Sequence, residues 1–136
     1  MRPQILCVAF LFFIGCAAAE KAALVGMVTL AQARTDGVTL LMKADKIKQT
    51  EYLAKISKTI NVGELSTLRE EYKKYNSQFD KALLGFEDFG KAIAALKDGL
   101  KAGLKLDLIA ALKAYDNVKA ILADMGLRMP AIPEVK

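Results

Sequence analysis

Residues 64–102 read ELSTLREEYKKYNSQFDKALLGFEDFGKAIAALKDGLKA, and their spacing decides the fold class. Leu65, Tyr72, Phe79, Phe86, Ile93 and Leu100 recur at intervals of seven. Leu68, Tyr75, Ala82, Phe89 and Leu96 repeat at the same interval, three residues later. A helix completes about two turns in seven residues, so the two series merge into one apolar stripe. Five heptads of such a stripe predict one long helix from about Glu64 to Ala102, packed as in a coiled coil. The start has matching local chemistry: Asn61 is placed to cap, Glu64 to reach back from the third helical position, and Ile60 to staple onto Leu65. Glu70 with Lys74, and Glu87 with Lys91, are favourably ordered pairs one turn apart. Gly85, Gly90 and Gly99 each weaken the helix by about 1 kcal/mol relative to alanine, and mark either close approach to a neighbouring helix or a kink.

Helical spacing continues on both sides. Upstream, Leu24, Val28, Ala31, Thr35, Val38 and Met42 form a stripe that Tyr52, Ile56 and Ile60 resume. This predicts a helix from about Lys21 to Thr59, with Gly37 as the place where it would break. Downstream, Leu108, Leu112, Tyr115, Val118, Leu122 and Met125 predict a third helix capped near Asp107. Gly126 suits the left-handed residue after that helix, with Leu122 and Leu127 placed for the accompanying apolar contact. Met129-Pro130-Ala131-Ile132-Pro133 cannot continue a helix. The fold class is therefore all-α, an antiparallel three-helix bundle over residues 20–126 with long coiled-coil-like helices, or four helices if Gly37 breaks the first. Residues 127–136 are expected as an extended tail.

The first residues, MRPQILCVAFLFFIGCAAAE, have the form of a cleaved signal peptide over residues 1–19. Arg2 supplies a short cationic start, and Ile5–Ile14 an apolar run well below the roughly 20 residues that span a bilayer. Two processing sites overlap. Ala17-Ala18-Ala19 would free a soluble protein by cleavage near Ala19. Phe13-Ile14-Gly15-Cys16 resembles a bacterial lipobox, with cleavage before Cys16 and lipidation of its thiol; two or three acyl chains, at about 0.8 kcal/mol per buried methylene, would anchor it stably. Both cysteines of the chain, Cys7 and Cys16, lie in this leader, so the remainder folds without disulfides. Asn61, Asn76 and Asn117 all miss the glycosylation pattern. Together these features point to a bacterial envelope protein.

Composition narrows the chemistry. The formal net charge is +5, carried mostly by lysines that alternate with acids, as in Lys43, Asp45, Lys46, Lys48, Glu51 and Lys55. No clustered, arginine-rich basic face with stacking aromatics is present, which argues against nucleic acid as a partner. The chain has no histidine, the commonest general base, so no enzyme activity, metal site or cofactor is expected. Glu87-Asp88 and Glu70-Glu71 are paired carboxylates, but both fall outside the heptad core beside lysines and read as solvated helix faces. Tyr72, Tyr75, Phe79, Phe86 and Phe89 share one stripe, which reads first as core packing and second as the lining of a cavity for an apolar ligand. Buried tyrosine hydroxyls need partners, which favours Tyr72 and Tyr75 near a bundle end or rim.

The expectation is a small exported helical-bundle protein of the cell envelope, a lipoprotein anchored through Cys16, acting without catalysis by binding or scaffolding. Its location would be the periplasm or a lipid-anchored position at the outer membrane. Its partner would be another envelope protein or a second copy, since a regular heptad seam readily joins chains. The rival expectation is a soluble secreted carrier of a hydrophobic ligand.

Overall fold

The structure is a computed structural model that describes the backbone of residues 3–132 and the side chains of residues 20–132. The leader's processing signals, with the Cys16 side chain, and the tail from Pro133 onward lie outside the described side chains. All regular structure among the described residues is helical: α1 Pro3–Lys58, α2 Val62–Lys101 and α3 Ile109–Asp124. All three helices pack against one another. α1 begins ahead of the Lys21 start that the apolar stripe gives, because the leader's Ile, Leu, Phe and Ala run contains no residue that ends a helix.

α2 is the middle element. Tyr52 and Asp45 of α1 meet Tyr72 and Tyr75 of α2, while Arg34 meets Phe86, so the two helices run antiparallel through the short turn at Thr59–Asn61. Phe89 meets Tyr115 and Gly85 faces Val118, which sets α3 antiparallel to α2. The heptad face is the inner face of α2. Tyr75, Ala82, Phe86, Phe89, Ile93 and Leu96 are buried, and Leu65, Leu68, Tyr72, Phe79 and Leu100 are half-buried. Leu30, Leu41, Val118 and Leu122 close the core from α1 and α3.

The helix ends follow local chemistry. Asn61 Oδ1 accepts the Gly63 N–H at 2.8 Å and caps α2. The rest of that capping motif differs from expectation: Ile60 is 96% exposed and does not staple onto Leu65. It sits in the turn at the hairpin end, where no third element rises to meet it. α2 stops at Gly103, which takes φ +72°, with the Leu104 N–H donating back to the Gly99 carbonyl at 2.9 Å. α3 ends in the same way at Gly126, φ +76°, with the Leu127 N–H donating to the Leu122 carbonyl at 2.8 Å. Asp107 caps α3 one residue earlier than a standard N-cap, accepting the Ile109 N–H at 3.0 Å.

Two expectations about α1 need correction. The helix passes through Gly37 without a break, so the bundle has three helices and not four. Gly37 is there for space: an added Cβ would stand 2.7 Å from both Met129 Sδ and Phe86 Cε1. The inward stripe is also rotated by one residue. Met27, Leu30, Ala33 and Leu41 are the buried positions, while Leu24, Ala31 and Val38 are half-buried and Val28, Thr35 and Met42 face outward. Gly26, Ala33 and Gly37 lie on the buried side, where small residues let α2 approach closely.

Candidate functional site

The aromatic stripe of α2 divides into two parts. Phe86 and Phe89 are in the core, almost without exposure, and Phe89 meets the Tyr115 ring edge-on at 6.1 Å. Tyr72, Tyr75 and Phe79 continue along the α1–α2 hairpin as a ladder with ring centres 6.4 Å apart at each step. Tyr52 of α1 closes the ladder against Tyr72 at 4.8 Å. Along this stem α3 is absent, and aromatic rings fill the space between two helices.

Tyr75 is buried within the stem, with its hydroxyl donating to Asp45 Oδ1 at 3.3 Å. Burial first, and the adjacent Asp45 carboxylate second, push its pKa up to about 12. Tyr115 is likewise raised, chiefly by burial and then by Asp116. Its hydroxyl donates to the Pro130 carbonyl at 2.6 Å, and that bond ties the C-terminal tail to α3. Tyr115 and the contact of Met129 with Gly37 and Phe86 thus hold the described part of the tail against the bundle. Met129 is 4% exposed.

Arg34 is a feature the sequence does not reveal. Its half-buried side chain crosses to α2, where Nε donates to the Phe86 carbonyl at 2.9 Å. The guanidinium lies where a Cβ on Gly90 would be, 2.9 Å from that position. Gly90 therefore serves the close approach of Arg34, and Gly85 that of Val118, at 3.0 Å from the equivalent point. Neither ends the helix, since α2 is continuous across both.

The paired carboxylates have ordinary surroundings. Glu87 and Asp88 are exposed, and Glu87 pairs with Lys91 at 3.1 Å. Glu70 and Glu71 are exposed as well. Among the described residues, no group of three or more His, Cys, Asp or Glu side chains could hold a metal ion. No helix among them is long and apolar enough to cross a membrane. A cleft of about 670 Å³ opens at the hairpin end between Lys55, Lys58, Asn61, Glu64, Leu68 and Glu71. It is shallow, edged by mixed charge, and set apart from the Phe86 and Phe89 rings.

The largest unexplained feature is the outer side of α1. Val25, Val28, Met42, Leu53 and Ile56 are all exposed there, with Val28 at 63% and Leu53 at 66%. Comparison with protein-family models, with curated proteins and with solved structures finds no match for the chain.

Proposed function

We propose that this chain is a small exported helical protein of the bacterial envelope, anchored through a lipidated Cys16, and that it acts by binding or scaffolding. Its long helices pair as in a coiled coil, after a leader of residues 1–15 is removed by cleavage before Cys16. The export half of this reading is supported by the cationic start, short apolar run and overlapping processing sites of the leader. The binding half is carried by one observation, the row of large apolar side chains on the solvent side of α1. An apolar ligand carrier would instead need its aromatics around a void, and Phe86 and Phe89 have no such space beside them. The exposed, lysine-partnered carboxylates suit a solvated surface better than acid–base catalysis.

The intact mass of the mature protein tests the reading. A protein beginning at an acylated Cys16, which partitions into detergent with the membrane fraction, is the expected result. A free Glu20 terminus would remove the anchor, and retention of residues 1–15 would remove export.

A further inference from the structure

The solvent side of α1 carries a second seven-residue pattern. Val28, Thr35, Met42, Gln49 and Ile56 form one series. Val25, Gln32, Thr39, Lys46 and Leu53 form its companion, three residues earlier in each repeat. Every one of these positions is exposed. Lys46 alone among them is charged. Isolated exposed apolar residues are ordinary, whereas a seam kept in heptad register along a whole helix has the form of an interface.

The polar members of the seam are prepared for covering. Thr35 Oγ1 donates to the Ala31 carbonyl at 3.2 Å, and Thr39 Oγ1 to the Thr35 carbonyl at 3.0 Å. Gln32 Nε2 donates to Asp36 at 2.9 Å, and Gln49 Nε2 to Asp45 at 2.8 Å. Each already holds a bond within its own helix, so a partner laid over the seam strands few donors.

We infer that this seam pairs with the same seam of a second copy, antiparallel, about a twofold axis at Met42. The pattern is self-complementary when reversed: Val28 falls opposite the partner's Ile56, Thr35 opposite the partner's Gln49, and Met42 opposite the partner's Met42. The apolar ends therefore meet apolar ends. Parallel pairing would set Lys46 against the partner's Lys46. Antiparallel pairing instead sets Lys46 level with the partner's Val38, two residues from the partner's Asp36 and about 12 Å along the axis from the partner's Lys46, replacing repulsion by attraction. The seam from Val25 to Ile56 is about 47 Å long at 1.5 Å per residue. A strip about 10 Å wide then covers roughly 470 Å² on each copy, or about 940 Å² in all, the size of a weak, reversible interface. The inference rests on the binding half of the proposed function and is independent of export.

The test is sedimentation equilibrium of the protein as cells process it, from about 1 to 200 µM, beside the double variant Val28→Glu, Met42→Glu. Wild type should dimerise in the micromolar range. The variant should dimerise at least about 100-fold more weakly, because four carboxylates would be buried across the twofold. Both substituted positions are exposed, and circular dichroism checks that helicity is kept. A photo-crosslinking residue at Gln49 should capture the partner near Thr35, whereas the same group at the exposed Lys97 of α2 should capture nothing. A wild-type monomer at 200 µM, an undiminished dimer in the variant, or crosslinks from Gln49 to the partner's Gln49 would each overturn the proposal. So would a monomeric wild type whose binding to anionic vesicles is lost in the variant, which would make the seam a lipid surface. The terminal mass reports on export alone, so failure of either reading is separable from the other.

Discussion

Gly37→Ala tests how the end of the chain is held. In an unobstructed helix interior this substitution stabilises by about 1 kcal/mol, because glycine has more backbone freedom to lose. At Gly37 the new Cβ would stand 2.7 Å from Met129 Sδ and from Phe86 Cε1. Comfortable contact needs roughly 3.5–4.0 Å, so about 1 Å must be found. The Phe86 ring is 2% exposed and fixed in the core, whereas Met129 is a flexible side chain on a tail. The methionine is therefore the group that moves. Displacing it forfeits about 1.5–3 kcal/mol of burial and loosens the neighbouring bond from Tyr115 to the Pro130 carbonyl. Against the gain in helix propensity, the net expectation is a loss of about 1–2 kcal/mol in urea unfolding followed by circular dichroism. The decisive comparison is a double-mutant cycle. With Met129→Ala already present only the Phe86 ring still opposes the new Cβ, so Gly37→Ala should cost less than in the wild-type background, giving a coupling of at least about 1 kcal/mol. An equal effect of Gly37→Ala in both backgrounds would refute the contact with Met129, and with it the docking of the tail.

Other substitutions separate the roles of the remaining glycines and tyrosines. Gly99→Ala should raise stability by about 0.5–1 kcal/mol in the same assay, since nothing lies within 4 Å of its added Cβ. Gly90→Ala should lower it by about 1 kcal/mol by evicting Arg34 from the Phe86 carbonyl, and should become neutral or stabilising in an Arg34→Ala background. Absorbance titration near 295 nm should show one tyrosine ionising at about pH 12. Asp45→Asn should lower that value yet leave it above the usual 10, because burial is the larger cause. The folded state favours the protonated phenol, so the stabilisation linked to Tyr75 is complete below about pH 10 and is lost as pH rises through about 12. A late-titrating tyrosine that persists in Tyr75→Phe would contradict the assignment, provided Tyr115 is silenced in the same background.

The all-helical class, the inner face of α2 and the glycine stop of α3 were legible because each is a local or periodic signal. A seven-residue repeat fixes a face, and Asn61 or Gly126 needs only its near neighbours to act. The inner face of α1 was not legible for a specific reason. That helix carries apolar residues at two heptad registers, Met27 and Leu41 on one and Val28 and Met42 on the other, and only the partner helix selects between them. Gly37 misled for a related reason. A glycine mid-helix carries the same letter whether it breaks the helix or admits Met129 from residues far along the chain. Arg34 left no trace either, since its match with Gly90 exists only once α1 and α2 are aligned. The paired acids behaved as their heptad positions indicated, exposed and beside lysine.

The brevity of α3 connects these observations. At 1.5 Å per residue its 16 residues cover about 24 Å, while the 40 residues of α2 extend about 60 Å. One heptad stripe on α2 therefore meets two different environments. Where α3 is present, Phe86, Phe89 and Ile93 are sealed from three sides. Beyond it, Leu65, Leu68 and Tyr72 meet α1 alone and are only half covered, and the tyrosine ladder fills the gap with broad, amphipathic rings. A two-helix stem of this kind contributes little core of its own. The outer seam of α1 runs past that boundary without interruption, from Val25 beside the sealed core to Leu53 and Ile56 on the stem. A second copy laid antiparallel along it would set the outer face of each molecule's stem against the outer face of the other's three-helix core.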